Sequence, residues 1–529
     1  MLYNGVIYTM DARPRQAQAL CILGERIASI GSDADALDWA RLHGLQPAQR
    51  IDLRGRLVLP GFVDAHLHLV HFAVSRRQVD LSGARSLEDA LELVRRRAAS
   101  TPPGAWITGG GWDHDAWGLP GYPTRHLLDR VAPHHPVLLH RKDYHSAWAN
   151  SRALGVAGVI ASMADPPGGS IDREPGGAPA GLLRESAAGL VARHIPAVTP
   201  AERRAAVQEA QAVAHAAGLT SVHNMEGQEA FATLQELHAA GQLTLRVFEQ
   251  VPLGSLDAAL SLGLRTGLGD HLLRVGCVKL FADGSLGSRT AALLQEYQGE
   301  PGNCGMLLLT PADLAGAIRR AYGGGLSVAI HAIGDLANRA VLDALERHRD
   351  LARAQALRPR IEHVQLLHPD DLPRLAALGV IASMQPLHAT QDMDMAERYW
   401  GARSRYGYAW RSLLDAGTVL AFGSDCPVET LDVRQGLYAA VTRRRPDGRP
   451  PKGWHPQERL SLAQAVRAYT AGAAWAAGEE TLKGRLLPGL LADVVVLDRD
   501  LFSGPPEEIL AAQVDLTICG GRMVYQRHV

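Results

Sequence analysis

Cysteine is scarce in this sequence. The five present in 529 residues, at positions 21, 277, 304, 426 and 519, form no CxxC pair, which argues against a zinc knuckle and a disulfide framework alike. No apolar run approaches the ~18–20 residues of a membrane-spanning helix. The opening MLYNGVIYTMDARPR has no basic stretch leading into an apolar one, so no secretory leader is expected. Neither sign of charge dominates: 54 Lys and Arg stand against 55 Asp and Glu, a formal net charge of −1. Nucleic acid and anionic membrane surfaces are therefore not expected partners, and a cytoplasmic location is the expectation.

What is present is ample core material. Hydrophobic residues make up 47% of the chain and charged residues 21%, the balance of a globular protein. The length exceeds one ordinary domain, although a single large α/β barrel would absorb much of it. The two ends resemble each other in texture. GVIYTM, ALCILGERIASIG and RIDLRGRLVLPG near the start, and LADVVVLDRD and LTICGGRMVYQ near the end, have strand composition and turn punctuation. They predict one small β-sandwich domain assembled from 1–59 and 484–529, with a separate β cap at each end as the alternative.

Between them, over 60–483, short apolar runs alternate with Ala-, Leu-, Arg- and Glu-rich helical stretches, the pattern of a parallel sheet built from βα units. Eight runs qualify as strands: 62–69, 219–224, 245–251, 274–283, 326–332, 359–365, 380–385 and 418–425. Eight is the number that closes a TIM-type (β/α)8 barrel. The stretch between the first two is far longer than a βα connection needs. Its Gly-, Trp- and Pro-rich part, 102–196, reads as an inserted subdomain. Trp106, Trp112, Trp117 and Trp148 in this region either greet an apolar or aromatic substrate group or form the insertion's own core.

The chemistry begins with His66 and His68 in PGFVDAHLHL, the only HxH in a sequence holding 22 histidines. Chance alone supplies roughly one such pair, so the motif is weak by itself. Its position is informative. Residues i and i+2 of a strand face one side, and these two lie at a strand's C-terminal end, where barrel active sites are built. Lys279, His331, His363 and Asp425 fall at the ends of the fourth, fifth, sixth and eighth runs. In a closed barrel these ends converge. Taken singly, each has a plainer reading as a core histidine, a turn aspartate or a snorkelling lysine; five coincidences are harder to dismiss. Imidazole with carboxylate suits Zn²⁺, Mn²⁺, Fe²⁺ or Ni²⁺.

The segments PGFVDAHLHL, VKLFADGSLGSRTAAL, HAIGDLANRAVLDAL, RIEHVQ and GSDCPVETLD resemble, in order, the signature blocks of the metal-dependent amidohydrolase superfamily. GGGWDHDAW and HRKDYHSAWANSRAL add a likeness to its amidohydrolase family 3 branch, which includes N-substituted formamide deformylase. The resemblance implies that His66 and His68 bind a more buried metal, and His331 and His363 a more exposed one. It also implies that Asp425 binds the buried metal and carries the proton, and that Lys279 is carbamylated and bridges two ions. A one-metal site formed by His66, His68, His331 and Asp425 is the alternative. Zinc is the expected ion.

The implied reaction is hydrolysis of an amide or N-formyl C–N bond in a small molecule by a metal-activated water, with His223 or Tyr144 as candidates to hold the carbonyl oxygen. Trp112, Asp113, Tyr144 and His145 in the insertion, and Asp283 and Arg289 after the fourth strand, are the candidate substrate contacts. Hydrolytic deamination of a ring is a second reading, although HAIGD offers no glutamate beside His331. A metal-free barrel without activity is a third. A homodimer is a family-level expectation.

Overall fold

The computed structural model describes residues 1–11, 16–115, 117–142 and 146–527. The chain divides into two compact units, one made of Met1–Val70 with Gln208–Val529, the other of His71–Val207.

In the first unit all eight apolar runs become strands of one parallel sheet, ordered as they occur in the chain. They are β1 (Phe62–Leu67), β2 (Leu219–Asn224), β3 (Arg246–Pro252), β4 (Leu273–Phe281), β5 (Val328–Ala332), β6 (Arg360–His363), β7 (Ile381–Met384) and β8 (Leu420–Phe422). Strands walled on both faces read as nearly continuous apolar runs rather than alternating ones, and every residue of β1, β2, β6, β7 and β8 is buried. The fold is a TIM-type barrel. Its ends meet beyond β8, where Asp425 N–H donates to His66 O at 2.6 Å and His68 N–H to Cys426 O at 2.8 Å. Asp64, 1% exposed, reinforces this seam by accepting from His66 N–H at 3.1 Å and Ser424 N–H at 3.0 Å. Gly423 is required there: a Cβ at that position would lie 2.4 Å from His66 N.

The termini fold together as a β-sandwich. A six-stranded sheet runs Arg522–Gln526, Val514–Cys519, Val494–Leu497, Leu57–Pro60, Val6–Tyr8, Gln16–Ala17, so strands from the two chain ends lie side by side. A four-stranded sheet from the N-terminal segment lies over it. Leu2, Leu20 and Ile27 of this sheet share one core with Ile7, Val58, Val494, Val496 and Ile518 of the other.

The second unit carries its own six-stranded mixed sheet, ordered Gly169–Arg173, Pro179–Glu185, Ser146–Ala149, Val137–Arg141, Ile107–Trp112, Val79–Asp80. It begins well before residue 102, taking in the helix Leu87–Ser100. Trp112 and Trp148 are fully buried in its core, their indole N–H groups bonded to Leu139 O and Thr124 O. Trp117 donates to Ala84 O and Trp106 packs on a neighbouring core cluster. These tryptophans hold the unit together, the second of the two readings the sequence allowed. Among the described residues no helix is long and apolar enough to cross a membrane.

Candidate active site

Strand geometry alone would send Glu362 and His363, neighbours in β6, to opposite faces. The chain avoids this at His363, whose φ of 75° ends the strand in the left-handed region. Both side chains thereby reach the same place: Glu362 Oε2 accepts from His66 Nδ1 at 2.6 Å, and the His363 ring lies 4.8 Å from that of His66. Asp425 also has a left-handed φ, 60°. Non-glycine residues in this region store strain of about 1–3 kcal/mol each and collect where a site must be shaped.

Around these two turns the side chains converge. One ligand atom each from His66, His363 and Asp425 lies within 4.8 Å of the others. His66 Nε2 and His68 Nε2 stand 3.5 and 3.4 Å from Asp425 Oδ1. His331 joins from β5, its ring 4.5 Å from that of His363. Lys279 reaches in from β4, its ammonium over the Phe281 ring. All six line one cavity of about 370 Å³ with Phe281, Gln365, His388 and Met395.

The donor set fits a divalent cation. Burial, with Lys279 nearby, holds the His66 imidazole down to about 4 and His331 to about 4, and burial pushes His363 well below its ordinary value. The three rings are neutral near pH 7, with lone pairs to give. Their hydrogen bonds decide which nitrogen gives. His66 donates through Nδ1 to Glu362 and His363 through Nδ1 to Gln385 Oε1 at 2.9 Å, freeing Nε2 on both. His331 donates through Nε2 to Gly284 O at 3.0 Å and so offers Nδ1. Partners of this kind fix the tautomer and orientation of metal-binding histidines. Asp425 is held well below the carboxylate range despite its burial, by His66, His388 and His68. Burial also lowers Lys279 to about 8, so roughly a tenth of its amine is unprotonated at pH 7.

The six expected ligands are thus brought together. The expected substrate contacts fare differently. Asp283 is 1% exposed and accepts from Ala292, Ile333 and Gly334 N–H; it shapes the chain after β5 and does not line the cavity. Arg289 pairs with Glu300 at 2.6 Å and stacks on Tyr399, also off the cavity wall. Trp112 is core, and Asp113 is engaged by Arg141 and Lys142. Tyr144 and His145 lie outside the described residues. His223 does not face the cavity either; its Nδ1 takes a hydrogen bond from Arg360 at 2.7 Å inside the barrel. Sequence reasoning missed Glu362, Arg360 and His388. Arg360 binds Glu362, Ala65 O and Ser383 in a wholly buried cluster beneath His66. His388 Nε2 stands 3.1 Å from Asp425 Oδ2.

Comparison with known proteins identifies the family. The model of the Amidohydrolase family matches residues 49–525. Protein LONG AFTER FAR-RED 3 of Arabidopsis thaliana is 34% identical over 99% of this chain and 91% of its own length. N-substituted formamide deformylase of Arthrobacter pascens is 30% identical over 100% of this chain and 98% of its own. The crystal structure of an uncharacterized metal-dependent hydrolase from Pyrococcus furiosus is similar at a TM-score of 0.78 and 33% identity, covering 95% of this chain and 99% of that one. Matches of such extent leave no part of the barrel unaccounted for, and the chain belongs to the amidohydrolase family.

Proposed function

We propose that the protein hydrolyses a non-peptide C–N bond, in an amide or an N-formyl group, of a small molecule. One observation carries this reading: the imidazoles of His66, His68, His331 and His363 and the carboxylate of Asp425 converge on a single cavity at the C-terminal end of a barrel. His66, His68, His331, His363 and Asp425 would hold one or two divalent ions, zinc being well suited to imidazole-rich donors. Such an ion supplies a Lewis acid for a carbonyl oxygen and a water acidic enough to ionise near neutral pH.

The chain's own residues do the rest. Asp425, an ionised carboxylate, accepts the proton of the attacking water and later delivers it to the departing nitrogen. Glu362 and Gln385 keep His66 and His363 from turning away. Gln365 lines the cavity with a buried Oε1 that has no partner among the described residues, an acceptor suited to the substrate's N–H. Phe281, Met395 and Val428 give the wall an apolar side, suited to a hydrocarbon substituent on nitrogen. Lys279, lowered to about 8 by burial, is proposed to add CO₂ through its neutral amine, losing a proton to solvent, and would then offer a carbamate oxygen as a further anionic ligand. The relative from Arthrobacter pascens, named for acting on N-substituted formamides, supports the N-formyl choice.

The test is an amine-release assay on a panel of N-formyl and N-acyl amines, with Zn²⁺, Mn²⁺ and bicarbonate supplied. Release from at least one member is expected. Protein that binds metal and leaves every member intact refutes the amide reading, and protein that binds no metal refutes the metal-dependent one.

A further inference from the structure

The seventh strand supplies no ligand, yet the four residues that follow it touch two of them. β7 ends at Met384, and Gln385-Pro386-Leu387-His388 turns directly into the helix Pro386–Trp400, with Gln385 as its N-cap and Pro386 in its first position. Proline's fixed φ suits that position and pins the helix start. The two residues flanking the turn's interior point in complementary ways. Gln385 Oε1 takes the Nδ1 hydrogen of His363 at 2.9 Å, and His388 Nε2 meets Asp425 Oδ2 at 3.1 Å.

We propose that Gln385 and His388 are a pair of positioning residues, one setting the ring of His363 and the other the carboxylate of Asp425. The proposal rests on the metal-dependent reading above. Two features favour it over a purely structural role. Gln385 is 1% exposed and its Nε2 makes no hydrogen bond among the described residues. A half-satisfied amide in the interior is unfavourable, and its one side-chain bond runs to His363. His388, 7% exposed, likewise spends its ring on carboxylates, Asp425 on one nitrogen and Glu429 at 3.8 Å on the other. With Oδ2 of Asp425 engaged, Oδ1 is left facing His66 Nε2 and His68 Nε2. His363 and Asp425 both have left-handed backbones, so side-chain restraints from outside their own strands are what keep them aimed.

The experiment uses the full-length protein, stripped and then titrated with Zn²⁺ alone against a competing chelator. Gln385→Leu removes the acceptor at nearly constant volume and leaves no new polar group unpaired except His363 Nδ1. It is expected to weaken Zn²⁺ affinity about 10–100-fold, the usual effect of losing a partner that orients a ligand. Wild-type affinity in this variant overturns the His363 half of the proposal.

For the other half, His388→Ala is expected to lower kcat in the amine-release assay by about 10–100-fold with KM within about twofold. His388→Gln, whose amide N–H can reach the same carboxylate, is expected to recover much of the loss. A His388→Ala enzyme with wild-type kcat, or a His388→Gln enzyme no better than the alanine variant, overturns it. Should His388→Ala fail to fold, the crystal structure of Zn²⁺-loaded His388→Gln decides this half: an active enzyme with the glutamine N–H on Asp425 Oδ2 supports it, and a folded, inactive enzyme, or an active one in which the glutamine does not touch Asp425, overturns it. Should the wild type bind Zn²⁺ yet cleave no amide, the proposed reaction fails and crystal structures of the Zn²⁺-loaded proteins decide this one. A rotated Asp425 carboxylate in His388→Ala is expected, and an unmoved one overturns the inference.

Discussion

The carboxylate of Asp425 meets imidazoles along both edges, His66 and His68 from one side and His388 from the other. That environment keeps it ionised and able to accept a proton. Asp425→Asn preserves the shape and removes the charge, and is expected to cut turnover about 10²–10⁴-fold in the amine-release assay while the circular dichroism spectrum is unchanged. The neighbouring imidazoles carry a pH signature. His66 and His331 have values of about 4 in the folded protein, against an ordinary 6.5. Between those values the unfolded chain takes up protons that the folded chain refuses, so the metal-free protein loses stability as pH falls from 6.5 towards 4. Urea midpoints of chelator-treated protein across that range are expected to fall, and to fall less in His331→Asn; an equal decline in the two proteins contradicts the assignment. How visible such residues are in the sequence depends on the local backbone. His66, His68, Lys279, His331, His363 and Asp425 end readable apolar runs, so their convergence follows from the barrel. Glu362 hides beside His363 because alternation assigns it to the opposite face, and only the left-handed φ of His363 reverses that. A trace of it was present all the same: Arg360 and Glu362, two apart in a buried strand, mark a polar inner face. Asp283 and Arg289 could be read only as residues of the loop after a barrel strand, and that loop is fastened by those side chains, with Asp283 Oδ1 also 3.6 Å from His331 Nε2.

At the scale of elements, the seam between β1 and the chain after β8 is a close fit. Asp64 holds two backbone N–H groups from the two sides of the seam, and Gly423 lets the backbones approach. Gly423→Ala sets a methyl 2.4 Å from His66 N and 2.7 Å from Asp64 Oδ1. Overpacking of this kind costs about 1–3 kcal/mol, and because the strain falls on His66 the variant is expected to lose Zn²⁺ affinity as well as urea resistance. Unchanged values for both would show that the seam can shift. The eight barrel strands were legible because each lies in a short run rich in apolar and β-branched residues, punctuated by Gly, Pro or charge. β8 came out shorter than TVLAFGSD suggests, since its last residues leave the ladder to present Asp425. The sheet of the second unit was not legible: strands such as ITGGGW owe their place to close approach rather than to pattern, with a Cβ on Gly109 meeting Val79 O at 2.1 Å.

For the molecule as a whole, the sandwich made by both termini is tied to the barrel by a buried ion pair. Arg246 of β3 grips Asp493 with two bonds, of 2.8 and 2.9 Å, each side chain 4% exposed, and Asp493 also accepts from Gly520 N–H. Removing one partner of such a pair strands a charge in the interior, so Asp493→Ala is expected to lower stability by about 3–5 kcal/mol, read as a drop in the urea midpoint with no change in Zn²⁺ stoichiometry. The other junction, where the ring of strands closes, has a different consequence. Its two backbone bonds belong to His66, His68, Asp425 and Cys426, and three of those four residues are proposed ligands. Occupancy and closure are then thermodynamically linked. Zn²⁺ is expected to slow amide hydrogen exchange at His68 and Asp425 far more than at Val278, which lies mid-sheet and bonds to Ser327 O. The ion would act as a clasp, and the first and last strands of the barrel would be the ones whose breathing it governs.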